Sequence, residues 1–395
     1  MTSMANTGAR FEKHDLLDLD DELGDEARNT RDTVRAYATT ELGPRIADWY
    51  ERGTLPRDVA KGLGALGLFG MQLNGYGCPG LSAGAYGVAC RELEAVDSGL
   101  RSFVSVQGCL AMFAIHRYGS EEQRQAWLPA MATGEVLGCF GLTEPEAGSD
   151  PGSMRTSARR DGVDWVLSGT KTWINNGAIA DVAVIWARAE EGILGFLVPT
   201  DAPGFTAREI TGKLSLRASN TATIVLDDVR VPSSALLPGA RGLKSVLSCL
   251  NEARFGIVWG VVGAARSCYA SALDYVGGRE QFGRPLASYQ LSQRKLADMA
   301  VAVTHAGMTA LRLTSLKQAG RLTPVQISLG KLANARSAIE VARIARGMLG
   351  ANGITLDYPV MRHMANLEAV TTVEGTEEVH TLSIGHAVTG LPAFR

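Results

Sequence analysis

A carboxylate framed by side chains that cannot solvate it is a candidate general base, and residues 373–380, VEGTEEVH, contain one. Val373 and Gly375 flank Glu374 with an apolar side chain and with none. That setting raises a carboxylate pKa once a bound molecule excludes water, and so makes a better base. Glu374 stands just before an expected helix whose first turn carries Thr376, Glu377 and Glu378, a cap followed by acids placed favourably for the helix dipole. Taken alone, a Glu at such a place reads as a solvated first-turn carboxylate. A second group is Glu94, Arg101 and Ser105. If residues 89–107 are helical, steps of seven and four residues bring all three to one face, where a guanidinium can hold a ligand carboxylate. The plainer reading is a surface pair. A third is the segment CFGLTEPEAGSDP at 139–151, whose Gly, Ser and Pro predict a loop with free backbone N–H groups beside a strand. Such a loop wraps a polar cofactor, or is an ordinary turn.

Positioning these groups takes a large scaffold, and 395 residues with 46% hydrophobic side chains suffice for two or three domains. From 26 to 136 apolar residues recur at three- and four-residue spacing, broken at GYGCPG (75–80), which predicts helices. Between 140 and 236 the short runs DWVLSG, VAVIWA, LGFLVP and TATIVLDDVRVP alternate with turn residues, as antiparallel strands do. Long amphipathic stretches return at 288–318 and 324–349 and predict a helical bundle. The expected fold is therefore α+β, with a helical N-terminal domain over 1–139, a central antiparallel β domain over 140–239 and a C-terminal helical bundle domain over 240–395.

Several function classes are excluded. A net charge of −2, with Lys and Arg scattered, offers no field for nucleic acid. No apolar run approaches the roughly 18 residues that span a bilayer, and the N-terminus turns acidic where a secretion signal turns apolar, so membrane insertion is not expected and the chain is expected in the cytoplasm. Six cysteines without a CxxC pair read as reduced, mostly core thiols, and without an HExxH pattern no metal is expected.

Five segments in this order and spacing resemble the acyl-CoA dehydrogenase family: CFGLTEPEAGSDP (139–151), GTKTWINN (169–176), REQFGRPL (279–286), MLGANG (348–353) and VEGTEEVH (373–380). The resemblance runs from about residue 11 to the end. Within the family, ACRELEAVDSGLRSFVSVQ (89–107), GKLSLRAS (212–219), LNEARFGIVWG (250–260) and MRHMANLEAV (361–370) resemble the glutaryl-CoA dehydrogenase branch. What this implies is a homotetramer of helix–sheet–helix subunits that carries FAD, oxidises an acyl-CoA and passes electrons to an electron-transferring flavoprotein.

The resemblance also distributes roles. It implies that Phe140, Leu142 and Thr143 line the isoalloxazine, that Gly148 and Ser149 let the backbone approach the cofactor or the pantetheine arm, and that Trp173 and Ile174 cover one face of the ring. Asn175, where the family usually has Thr or Ser, is implied as a donor near flavin N5. Arg279, Gln281 and Phe282 are implied to reach the FAD of a neighbouring subunit, and Leu349, Gly350, Gly353, Thr376 and Glu378 to complete its contacts. Glu374 is then the base for the substrate's α-proton, and its N–H, with a ribityl hydroxyl, holds the thioester carbonyl. Arg101, with Glu94 and Ser105, holds the far carboxylate of glutaryl-CoA, while Arg254 stands beside the base. The chain departs from the branch at Leu100, where an aromatic is common, and at Val373, where a Tyr precedes the base. Two outcomes stay open after the first oxidation: loss of carbon dioxide to give crotonyl-CoA, or release of glutaconyl-CoA. A dehydrogenase for another short acyl thioester, on CoA or a carrier protein, is the other reading. An oxygen-activating relative or a binding scaffold of the same fold has no use for a base at Glu374.

Overall fold

The computed structural model describes residues 14–394; residues 1–13, where the acidic N-terminal stretch and the family resemblance begin, and residue 395 lie outside the described residues. Helices come first: α1 (Asp25–Tyr37), α2 (Gly43–Arg52) and α3 (Val59–Ala65), a short hairpin β1 (Asn74–Gly75) and β2 (Cys78–Pro79), then α4 (Ala83–Val96), α5 (Ser98–Ser105), a π-helical stretch Val106–Met112, α6 (Phe113–Tyr118) and α7 (Glu121–Thr133). A seven-stranded sheet follows, made of β3 (Gly138–Gly141), β4 (Ser157–Asp161), β5 (Asp164–Asn175), β6 (Val182–Ala189), β7 (Gly192–Pro199), β8 (Phe205–Glu209) and β9 (Thr221–Val231). The chain ends in α8 (Gly242–Gly278), a hairpin β10 (Glu280–Gln281) and β11 (Arg284–Pro285), α9 (Gln290–Gln318), α10 (Pro324–Met348), α11 (Val360–Thr372) and α12 (Glu377–Thr389).

The helix–sheet–helix order matches the expected α+β fold, with differences in detail. Strands β4–β5, β5–β9, β8–β9 and β6–β7 pair antiparallel, but β3 runs parallel to β6. The chain leaves the sheet's edge after β3, builds the β4–β5 hairpin and returns in the same direction through β6, which an alternating pattern of short runs does not reveal. The expectation of one helix over 89–107 is also corrected. Asp97 adopts an extended conformation (φ −163°, ψ 142°) and its side chain accepts from Gly99 N at 2.8 Å, so it closes α4 and caps α5.

Residues 98–118 and 242–278 form continuous helices long and apolar enough to cross a membrane, contrary to the reading of run lengths. Most of each is packed inside the protein, and both are core helices of the fold. Three apolar clusters make up that core, one under the N-terminal helices, one within the sheet and one in the C-terminal bundle. Helix α8 contributes to the first and the last. It reaches α4 closely enough that a Cβ at Gly260 would lie 2.0 Å from Glu94 Oε2, and one at Gly263 1.9 Å from the Arg91 carbonyl.

Candidate active site

Glu374 sits in a four-residue turn between α11 and α12. Thr376 closes the turn by accepting from Val379 N at 3.3 Å, the helix cap expected of it. Inside the turn Glu374 has φ 56° and Gly375 φ 107°. The left-handed region costs a side-chain-bearing residue roughly 1–2 kcal/mol, so surrounding bonds must hold it. Lys331 on α10 donates to Val373 O at 2.7 Å and Gly375 O at 2.5 Å, and Arg254 Nε on α8 donates to Glu374 O at 2.7 Å. A Cβ at position 375 would stand 2.8 Å from His380 Nε2, which keeps that position glycine.

The half-buried Glu374 leaves its Oε2 shut off from solvent without a hydrogen-bond partner. Burial raises its pKa, while Arg101, Arg254 and Lys331 oppose the shift and Glu94 adds to it. A base needs this combination: a carboxylate with an open lone pair and a raised proton affinity. Burial also lowers Arg254 and Lys331, with Glu374 holding both up.

Glu94 and Arg101 are no surface pair, being 0% and 1% exposed. Arg101 Nε donates to Glu94 Oε2 at 2.6 Å and Ser98 Oγ to Glu94 Oε1 at 2.8 Å. One edge of the guanidinium is thereby fixed, yet Arg101 Nη2 has no partner, nor does the buried Ser105 Oγ. The two helices that carry the pair are joined at Asp97, itself held by Arg362 Nη1 (3.1 Å) and Asn366 Nδ2 (2.9 Å) from α11. The same helix therefore leads into the Glu374 turn and anchors the break between α4 and α5.

The flavin-facing candidates divide. Phe140 and Leu142 are buried, Phe140 packing on Trp186 with ring centroids 5.8 Å apart, and Thr143 is half-buried. Gly148 and Ser149 are exposed on the loop after β3. That loop is stapled to the sheet by a buried ion pair: Lys171 Nζ donates to Glu144 Oε1 (2.8 Å) and Leu142 O (3.0 Å), and Glu144 accepts from the N–H groups of Arg155 (2.5 Å) and Thr156 (2.9 Å). Trp173 is 61% exposed with φ 60°, so it is not a core aromatic. Ile174 points the other way, buried with Leu167 and Ile224 inside the sheet, and its side chain does not cover a ring beside Trp173. The register shift between Lys171 and Ile174 separates the two. Asn175 is largely taken up by the protein, donating to Ser102 Oγ at 2.8 Å and accepting from Thr221 Oγ1 at 2.9 Å.

Arg279, Gln281 and Phe282 lie on the exposed β10–β11 hairpin, Phe282 being 96% exposed. Leu349 is buried in the bundle core, which removes its side chain from ligand contact. Gly353 lets the chain fold back against α10, since a Cβ there would be 2.3 Å from Arg346 O, while Gly350 is exposed with φ 59°. Glu378 is exposed in the first turn of α12. Sequence reasoning missed Lys331, Lys171, Glu144, Ser98 and Ser102. For Lys331 a signal existed: it lies on the buried face of α10 with Ile327, Asn334, Ala335 and Ala338, where a lysine needs a buried partner.

Family models described as the N-terminal, middle and C-terminal domains of acyl-CoA dehydrogenase match residues 24–135, 139–229 and 240–389. A glutaryl-CoA dehydrogenase from Mycobacterium smegmatis, solved in complex with FADH2, superposes with a TM-score of 0.96 at 56% identity, covering 98% of this chain and 100% of that one. A second glutaryl-CoA dehydrogenase structure from Mycobacterium smegmatis gives 0.96 at 60% identity over the same shares. The short-chain specific acyl-CoA dehydrogenase of Homo sapiens is 35% identical over 363 residues, 90% of this chain and 88% of that protein. That relative is mitochondrial, as are its counterparts in other mammals, which overturns the expectation of a cytoplasmic chain. An acidic stretch near residue 20 does not fix a compartment.

Proposed function

The chain belongs to the acyl-CoA dehydrogenase family of flavin-dependent oxidoreductases acting on CH–CH bonds, and we propose that it oxidises glutaryl-CoA or a close dicarboxylyl thioester with Glu374 as the base. The observation that carries this reading is that the buried polar atoms without partners include Glu374 Oε2, Arg101 Nη2 and Ser105 Oγ. Each unsatisfied group of this kind costs about 1–3 kcal/mol, which a ligand with an acidic C–H at one end and a carboxylate at the other relieves.

FAD is the cofactor, and the residues present suit it. Trp173 offers an open indole face on a strained strand, Thr143, Gly148 and Ser149 lie on a loop that the Glu144–Lys171 pair holds in place, and Arg279 with Gln281 supplies polar groups at the surface. When bound, FAD accepts the hydride that leaves the substrate's β-carbon.

Glu374 Oε2 takes the α-proton. The Glu374 N–H, which has no protein partner among the described residues, meets the charge growing on the thioester oxygen. Arg101 Nη2 meets the far carboxylate while Glu94 fixes the guanidinium's other edge, and Ser105 adds a hydroxyl. Arg254 fixes the turn's central carbonyl by donating to Glu374 O. The proposal includes a homotetramer in which the exposed hairpin carrying Phe282 reaches a neighbouring subunit, and an electron-transferring flavoprotein as acceptor.

Loss of carbon dioxide to give crotonyl-CoA is the first reading of the product. Val373 favours a second, release of glutaconyl-CoA, because it brings neither a hydroxyl nor an aromatic wall beside the distal carboxylate. Anaerobic mixing of the purified holoenzyme with glutaryl-CoA and, separately, butyryl-CoA, followed by product identification, tests both parts. Glutaryl-CoA is expected to bleach the flavin with a kcat/KM at least about tenfold higher, since a hydrogen bond to a charged group contributes about 1.5–3 kcal/mol. Equal rates with the two thioesters would remove the dicarboxylyl assignment, and crotonyl-CoA as the product would remove the second reading.

A further inference from the structure

Three consecutive carbonyls, those of Val373, Glu374 and Gly375, each accept a hydrogen bond from a cation: Lys331 takes the first and third, Arg254 the second. Lys331 is 1% exposed, and among the described residues no carboxylate lies within ion-pair distance of its Nζ. Its bonds go to carbonyls only, with Thr371 O at 3.4 Å the longest. An ammonium buried with no carboxylate in direct contact, the Glu374 charge acting on it only from a distance, is unfavourable in a packed protein, and stabilising a helix end calls for no more than a neutral donor.

The chemistry of the peptide group gives this placement a use. Val373 O and the Glu374 N–H belong to one amide plane, so positive charge donated to the oxygen withdraws density from the nitrogen and strengthens the N–H as a donor. Among the described residues that N–H has no protein partner, so it is open to a ligand.

We propose that Lys331 is a positioning residue for the oxidation: it locks Glu374 in its left-handed conformation and polarises the Val373–Glu374 peptide, so that the Glu374 N–H stabilises the enolate oxygen of the thioester. The proposal rests on the reading of Glu374 as the base. It separates Lys331 from a purely structural lysine, which would alter stability and leave enolate chemistry alone.

Acetoacetyl-CoA, a thioester whose enolate absorbs in the near ultraviolet, reads the effect directly. Lys331→Met and Lys331→Gln holoenzymes are titrated with it across pH, with thermal unfolding and flavin content recorded alongside. In Lys331→Met the apparent pKa of the bound probe is expected to rise by about one unit, a tenfold loss of enolate stabilisation. Lys331→Gln, which keeps two neutral donors, falls between, and carries the test alone if the Met variant loses FAD. With glutaryl-CoA, kcat is expected to drop about tenfold and KM to change less than about threefold, the signature of an interaction made in the transition state. FAD-loaded variants that enolise the probe like wild type, whatever their melting temperature, would overturn the proposal. Glu374→Gln serves as the control: undiminished turnover there would sink the base assignment instead, a different result from unchanged probe chemistry at Lys331.

Discussion

Burial lifts the Glu374 carboxyl above its ordinary value of 4.5, and the cations nearby, Arg101, Arg254 and Lys331, pull the other way. A carboxylate proposed as the base works only when ionised. As pH rises through the raised pKa the carboxylate fraction grows, so kcat/KM is expected to climb with pH on an acid limb centred above 4.5 and then level. A limb centred at or below the ordinary carboxylate value would contradict the burial seen here. Replacing the acid by its amide keeps the shape and removes the proton acceptor. Glu374→Gln is therefore expected to lose at least about 10²-fold in the rate of flavin reduction, measured by rapid mixing with substrate under anaerobic conditions. At this scale the sequence was informative where chemistry and local pattern coincide. Neighbours and spacing marked Glu374 and Arg101 as candidates, the family resemblance chose them over a solvated carboxylate and a surface pair, and in the structure each carries a buried polar atom without a partner. For Lys331 the apolar face of α10 signals a buried lysine, but nothing local tells that its partners are carbonyls of a distant turn. For Trp173 and Ile174 a strand pattern says that adjacent residues face opposite ways, but the bulge before Ile174 decides which of them turns outward.

Among the elements, the break at Asp97 has the widest reach. Its carboxylate accepts from Gly99 N, Arg362 Nη1 and Asn366 Nδ2, and Asn366 Oδ1 in turn accepts from Leu216 N at 2.8 Å. Segments 89–107, 212–219 and 361–370, each singled out in the sequence, thus converge on one buried acid. Asp97→Ala leaves the Arg362 guanidinium buried without its carboxylate, and breaking a buried pair in this way costs about 3–5 kcal/mol. Urea unfolding should register that loss as a lowered midpoint with an unchanged slope, and a loss under about 1 kcal/mol would show that Arg362 finds other partners. Helical periodicity could not place the break, since apolar spacing continues from α4 into α5 and the Asp-Ser cap signal lies inside the run. The long helices α9 and α10 were legible almost to the residue because amphipathic spacing persists over many turns.

On the scale of the molecule, the order of helical and strand segments was readable and the direction of β3 was not, because parallel pairing depends on where the chain goes between strands. The surface hairpin is another matter of context. Phe282, 96% exposed with φ 53°, has no reason to be aromatic in an isolated chain. Phe282→Asp is expected to weaken self-association and lower the flavin-to-protein ratio together, as read by sedimentation and absorbance; a variant that keeps both would remove the hairpin from the assembly. Within the chain, the close approach of α8 to α4 ties two positions into one unit. At 2.0 Å there is no space for a methyl group at Gly260 so long as the Glu94 carboxylate is in place. Adding bulk at 260 first evicts the acid, and losing the acid first strands a guanidinium. Replacements at 94 and 260 are therefore tolerated best as a pair, each alone leaving either a steric clash or an unpaired buried charge.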